Sequence, residues 1–168
     1  MIQSVNPAPT DETDGLPMPK RIWAVISVGF ALCMSVLDVN IINIVLPTLS
    51  HDFGTSPAVT TWIINGYQLA IVVSLLSFSA LGEIIGYRKV YLSGIGLFCI
   101  TSLICALSDS FWTLTIARIF QGFSASAITS VNTAQLRYIY PKSQLGRGMG
   151  INAMVVAISA AAGPSVAS

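Results

Sequence analysis

Apolar positions in this chain gather into long runs separated by short polar breaks. Crossing about 30 Å of hydrocarbon takes about 20 helical residues, and runs near that length occupy residues 22–46, 58–81, 90–107 and 111–136. A fifth begins near Gly148 and continues to Ser168, the last residue. No polar loop follows it, so the expectation is a chain truncated within or just at the end of a helix. The predicted class is an all-α integral membrane protein, a helical bundle truncated after about five transmembrane helices.

Composition sharpens this picture. Of 168 residues, 54% are hydrophobic and 9% charged, against roughly 25% charged in ordinary soluble domains. A water-soluble surface cannot be built from that, and the lipid bilayer becomes the first expected partner. The net charge of +1 supplies no strong field for nucleic acid or an acidic partner.

The placement of charge matters more than its sum. Lys20 and Arg21 precede the first run, Arg88 and Lys89 separate the second from the third, and Arg137, Lys142 and Arg147 surround the connection from fourth to fifth. The opposite connections, 47–57 and 108–110, hold no Lys or Arg, only His51, Asp52 and Asp109. By the positive-inside rule the N-terminus is cytoplasmic, and a bacterial inner membrane is the expected location. A cleaved signal peptide is not expected, because the first apolar run is too long and follows a tail bearing Asp11, Glu12 and Asp14. Residues 1–20, with Pro7, Pro9, Pro17 and Pro19, are predicted to form a disordered tail.

Nothing in the chain predicts an enzyme, a metal or a cofactor. Cys33, Cys99 and Cys105 fall inside predicted spans at spacings that match no metal or redox motif, and are read as small apolar packing residues. One histidine beside one carboxylate, His51–Asp52, is far from a metal site and is read as a loop cap for the next segment. Gly146, Gly148 and Gly150 lack the preceding strand and the spacing of a dinucleotide fingerprint.

Two charged residues sit deep within a span, Asp38 in the first helix and Arg118 in the fourth. An intramembrane charge costs about 2.5 to 3.5 kcal/mol on insertion scales and is a functional candidate by default. Asp38 lies nine residues before Pro47 and Arg118 nine after Asp109, which sets both about 13 to 14 Å from the outer helix ends. They can therefore face each other as an ion pair, either locking two helices together or tuning the proton affinity of a coupling carboxylate. On the fourth helix Gly122, Ala125, Thr129 and Asn132 share a stripe with Arg118, and Gln121 lies beside it. Such a stripe either admits close helix contact or lines an aqueous cavity. Asn40 and Asn43 share a face with each other, Asn40 points away from Asp38, and both are expected to bond a neighbouring helix. Asn65 and Gln68, three residues apart, form a further polar patch and a candidate substrate contact.

From Leu37 onward the chain resembles the major facilitator superfamily, in particular its drug:proton antiporter branch with fourteen spans. Leu37-Asp38-Val39-Asn40-Ile41-Ile42-Asn43-Ile44-Val45-Leu46-Pro47 resembles that branch's first-helix motif, an acidic residue followed by asparagine and a terminal Leu-Pro. Leu81-Gly82-Glu83-Ile84-Ile85-Gly86-Tyr87-Arg88-Lys89 is similar to its gating loop between helices two and three. There Ile84 stands where the family usually has Arg, which removes one basic residue of the charge-relay gate, while Gly82, Glu83, Gly86, Arg88 and Lys89 keep the pattern. Arg118-Ile119-Phe120-Gln121-Gly122 is similar to the fourth-helix motif implicated in proton transfer. Gly163-Pro164 resembles the fifth-helix antiporter motif, with Ala167 and Ser168 in place of its closing Gly-Gly pair. Pro164 removes an N–H and crowds the carbonyl of Ala160, which predicts a bend.

The resemblance implies a full-length fold of two helical bundles around a central cavity, each made of two three-helix inverted repeats, so that C-terminal helices beyond this chain complete the transporter. It also implies proton-coupled efflux of drugs or other small molecules: a proton moves inward on Asp38, drug moves outward, and Arg118 tunes the carboxylate. Substrate-cavity candidates are Asn65, Gln68, Gln121, Gly122, Thr129 and Asn132. Two alternatives remain open. One is a proton symporter of a small polar solute, against which Gly163-Pro164 argues; the other is a non-transporting membrane fragment, pseudogene product or partner subunit.

Overall fold

A computed structural model describes the backbone of residues 15–167 and side chains as far as Ala162. Five helices follow in order: α1 (Met18–Asp52), α2 (Pro57–Ile85), α3 (Tyr87–Ala106), α4 (Phe111–Ile139) and α5 (Leu145–Ala167), the last preceded by a 3-10 turn at Lys142–Gln144. The connections are short, so neighbouring helices run antiparallel. α2 starts with Ser56 as cap, its hydroxyl accepting from the Val59 N–H, and Pro57 in the first turn. α2 and α3 are separated only by Gly86, whose φ of 99° lies in the left-handed region that glycine enters without a steric penalty. The expected gating loop is thus a one-residue turn, with Gly82 and Glu83 in the last turn of α2 and Arg88 and Lys89 in the first turn of α3.

α1, α2, α3 and the segment Lys142–Ala162 are each long and apolar enough to cross a membrane by length and composition. Their outer faces present side chains such as Phe30, Val72, Leu76 and Leu103 to the surroundings, as lipid-facing surfaces do. α4 is not among them, because it is the polar centre of the bundle. Fourteen of its 29 residues are buried, against six of 29 in α2, and it packs mainly on α2 and α3. A helix enclosed by its neighbours needs no apolar face toward lipid, and at 29 residues it is about 43 Å long, ample to cross beside them.

Glycines allow the close packing. A Cβ at Gly122 would lie 2.5 Å from the Tyr67 carbonyl oxygen and 2.8 Å from the Ala70 Cβ, so α2 and α4 cross backbone against backbone. At Gly94 a Cβ would meet Ala127, Ile128 and the Ser124 carbonyl at 3.1–3.2 Å, which joins α3 to α4. α5 packs chiefly on α1.

Two expectations about the first helix need correction. α1 does not end at Pro47 but continues to Asp52, with the proline inside it. The missing N–H removes one ladder bond near the end, while Leu49 and Phe53 beyond it pack on a cluster of Ile42, Ile63 and Leu114. At the other end, residues 15–20 are not part of a disordered tail: Met18–Lys20 are helical, and the Leu16 N–H donates to the Ile139 carbonyl at 3.1 Å. Arg21 reinforces that docking, its Nε donating to the Leu16 carbonyl and its Nη1 to Gln144 Oε1, both at 3.1 Å. Residues 1–14 lie outside the described residues.

Candidate functional site

The site is assembled from α1 and α4. Asp38 and Arg118 meet in an ion pair, with Arg118 Nη1 donating to Asp38 Oδ2 at 2.7 Å. Their side chains are 15% and 9% exposed, so the bond is made away from solvent, where a charge-assisted contact of this length is strong. The second carboxylate oxygen, Oδ1, accepts from Gln121 Nε2 at 3.1 Å. Gln121 is fully buried, and its Oε1 lies 3.5 Å from Cys105 Sγ of α3. Tyr67 of α2 is buried, its backbone against Gly122 of α4. Asp38 is 14 residues from the end of α1 and Arg118 seven from the start of α4. These are about 21 and 10 Å, so the two residues pair although α1 reaches further outward than the placement of its end at Pro47 implied.

Helix rotation decides what joins the site. On α4, Arg118, Gln121, Gly122, Ala125 and Asn132 are buried, but they do different things. Gly122 and Ala125 are packing positions against neighbouring helices, and the Thr129 hydroxyl donates to its own helix at the Ala125 and Ser126 carbonyls. Arg118 Nε, Asn132 Oδ1 and Gln135 Nε2 are buried without a hydrogen-bond partner among the described residues. Asn65 and Gln68 are exposed on α2, off the face formed by Ile63, Tyr67, Ala70 and Ser74, and are not brought to the pair. Asn40 and Asn43 were expected to bond a neighbouring helix; instead each Nδ2 donates to its own helix at 2.8 Å, to the Val36 and Val39 carbonyls. Short polar side chains can always make this local bond.

The other sequence-predicted residues separate cleanly. Gly82 is buried, and a Cβ there would lie 2.7 Å from the Tyr87 ring and 3.1 Å from Val131, so this glycine closes α2, α3 and α4 at one end. Glu83, Arg88 and Lys89 are exposed, and Glu83 makes no ion pair among the described residues. Ile84 is 80% exposed, so packing does not explain an isoleucine there. Gly163 and Pro164 fall in the last turns of α5, but their side chains, and the expected bend's cause, lie outside the described residues. His51 and Asp52 are the exposed last residues of α1, 3.6 Å apart, and Ser56 rather than either of them caps α2.

All seven Lys and Arg residues other than Arg118 sit at one end of the bundle, where α1 and α5 begin, α4 ends and Gly86 joins α2 to α3. Among the described residues the bundle thus combines a basic end, apolar outer faces and a buried ion pair between α1 and α4. Residues 28–168 match the Major Facilitator Superfamily. The chain belongs to that superfamily. Its similarity to the transporter YebQ of Escherichia coli, itself described as uncharacterized, is 52% identity over 159 residues, covering 95% of this chain and 35% of that protein. It is 32% identical over 148 residues to the riboflavin transporter RibZ of Clostridioides difficile, covering 88% of this chain and 32% of that one. With the tetracenomycin C resistance and export protein of Streptomyces glaucescens it shares 33% identity over 158 residues, covering 94% and 29%. The chain therefore spans about a third of the length of these relatives. It is a multi-pass membrane protein of a transporter family whose members include drug efflux pumps.

Sequence reasoning missed Cys105 and Tyr67 at this site. Neither carries a local signal, because which face of α3 or α2 turns toward Asp38 is settled by the glycine-mediated crossings.

Proposed function

We propose that this chain provides the proton-coupling part of an alternating-access antiporter that exports drugs or other small molecules from a bacterial cell, with its N-terminus cytoplasmic in the inner membrane. The observation that carries the reading is the Asp38–Arg118 pair, a carboxylate held at 2.7 Å by a guanidinium inside the bundle. Protonation of Asp38 removes one partner's charge and frees Arg118, so the α1–α4 contact differs between the two protonation states, which is what coupling a proton to a conformational change requires. Energetically one proton suffices: entry is worth about 2.3 kcal/mol per 100 mV and about 1.4 kcal/mol per pH unit, together enough for a gradient on the order of a hundredfold.

Export is supported by the names of the efflux and resistance relatives and by the antiporter-like Gly163-Pro164. A riboflavin transporter among the relatives favours a second reading, proton-coupled movement of a polar solute through the same pair. A chimera of these 168 residues with the remaining two thirds of the E. coli relative tests both. Export of a lipophilic cationic dye, read as its accumulation in everted vesicles, is expected to need a pH gradient and to vanish in Asp38→Asn at normal membrane abundance. Undiminished gradient-driven efflux in Asp38→Asn would remove the proposed coupling role, and gradient-driven riboflavin movement without dye efflux would favour the second reading.

A further inference from the structure

A charged carboxylate only accepts hydrogen bonds, so the amide group facing Asp38 Oδ1 must be Gln121 Nε2, as the 3.1 Å contact has it. That places Gln121 Oε1 on the opposite side, where the Cys105 thiol lies 3.5 Å away, within the range of an S–H donor. The side chain of Gln121 is fully buried, and these are its two bonds among the described residues. A protonated Asp38 could equally well donate to an amide oxygen, so a free glutamine would be able to turn over when the proton arrives. With the thiol donating to Oε1, turning over would break that bond and set the Nε2 donor against a sulfur that accepts only weakly, which is costly inside a membrane protein.

We infer that Cys105 is a positioning residue for the coupling site: its thiol holds the Gln121 amide so that Nε2 presents a donor to Asp38 in both protonation states. The inference rests on the reading of Asp38 as the proton-bearing group, and it makes α3 a third participant beside α1 and α4. Asp38 is bonded by Arg118 and Gln121 of α4, with Cys105 of α3 behind Gln121 and Tyr67 of α2 buried where α2 crosses α4 at Gly122. Arg88 and Lys89 of α3 and Arg147 of α5 sit at the basic end, far along their helices.

The test uses the 168-residue chain in lipid bilayers and needs no transport. Infrared titration follows the protonated carboxyl stretch of Asp38, identified by its loss in Asp38→Asn. Cys105→Ala is expected to displace the midpoint by on the order of half a pH unit, the scale of one weak neutral hydrogen bond. Cys105→Ser, which keeps a donor, is expected to restore it. Gln121→Leu is expected to displace it too, with Cys105→Ala adding nothing on top. An unmoved midpoint in Cys105→Ala, no rescue by serine, or additive displacements would each overturn the inference. The S–H stretch of Cys105 supplies a second readout in the same samples: it is expected to shift in Gln121→Leu, and an unshifted band would overturn the inference even if the Asp38 band could not be titrated. Failure of efflux in the chimera would count against the proposed transport and leave this result standing.

Discussion

Gly122→Ala is the most direct test of how α4 is held. The added methyl carbon would sit 2.5 Å from the Tyr67 carbonyl oxygen and 2.8 Å from Ala70 Cβ, where carbon contacts settle near 3.5–4.0 Å. The obstacles are a backbone atom and a Cβ, neither of which can rotate away, so α2 and α4 must separate by about 1 Å to restore ordinary contact. Overpacking of this kind costs about 1–3 kcal/mol, and the better helix propensity of alanine returns at most ~1 kcal/mol. With that return in full, the net loss is about 0–2 kcal/mol. Gly96→Ala is the matched control, because a Cβ there meets nothing within 4 Å and only the propensity gain remains. Denaturant unfolding of the chain in mixed micelles, read by the fluorescence of Trp62 and Trp112 in the groove between α2 and α4, would measure both. The propensity gain is common to both, so Gly122→Ala is expected to be the less stable of the two by about 1–3 kcal/mol. Equal or reversed stabilities would refute the backbone-on-backbone crossing.

Topology and completeness give two further tests. In a background with the native cysteines replaced, a cysteine at Thr13 is expected to be protected from an impermeant thiol reagent in intact cells while one at Thr55 reacts, because all seven Lys and Arg residues outside the pair lie at one end; the opposite pattern would invert the orientation. The 168-residue chain alone is expected to give no drug resistance above a vector control in an efflux-deficient host, since five helices are a fraction of the two-bundle fold; resistance from this chain alone would contradict that.

The spans were legible because lipid exposure forces apolar runs, and the exposed faces of α1, α2 and α3 carry them. Helix ends were less so. Pro47 reads as a terminator, yet α1 passes through it, because proline's cost is local and the contacts of Leu49 and Phe53 lie beyond it. The meeting of Asp38 and Arg118 followed from the expense of isolated charge at membrane depth, which leaves few arrangements other than a pair. Asn40 and Asn43 were misjudged because an asparagine inside a helix can satisfy itself on the carbonyl four residues back. Cys105 could not be found from the sequence, since its role depends on the rotation of α3 and on the orientation of one amide in α4.

The central claim is that Asp38 carries a proton rather than merely tying α1 to α4, and the double substitution Asp38→Asn, Arg118→Gln in the chimera separates the two. A neutral amide pair keeps shape and hydrogen bonding without the cost of buried charge, so a purely structural lock would survive it. The measurement is pH-gradient-driven dye efflux at matched membrane abundance. This account predicts that the double variant is as inactive as Asp38→Asn alone; restored gradient-driven efflux would contradict it.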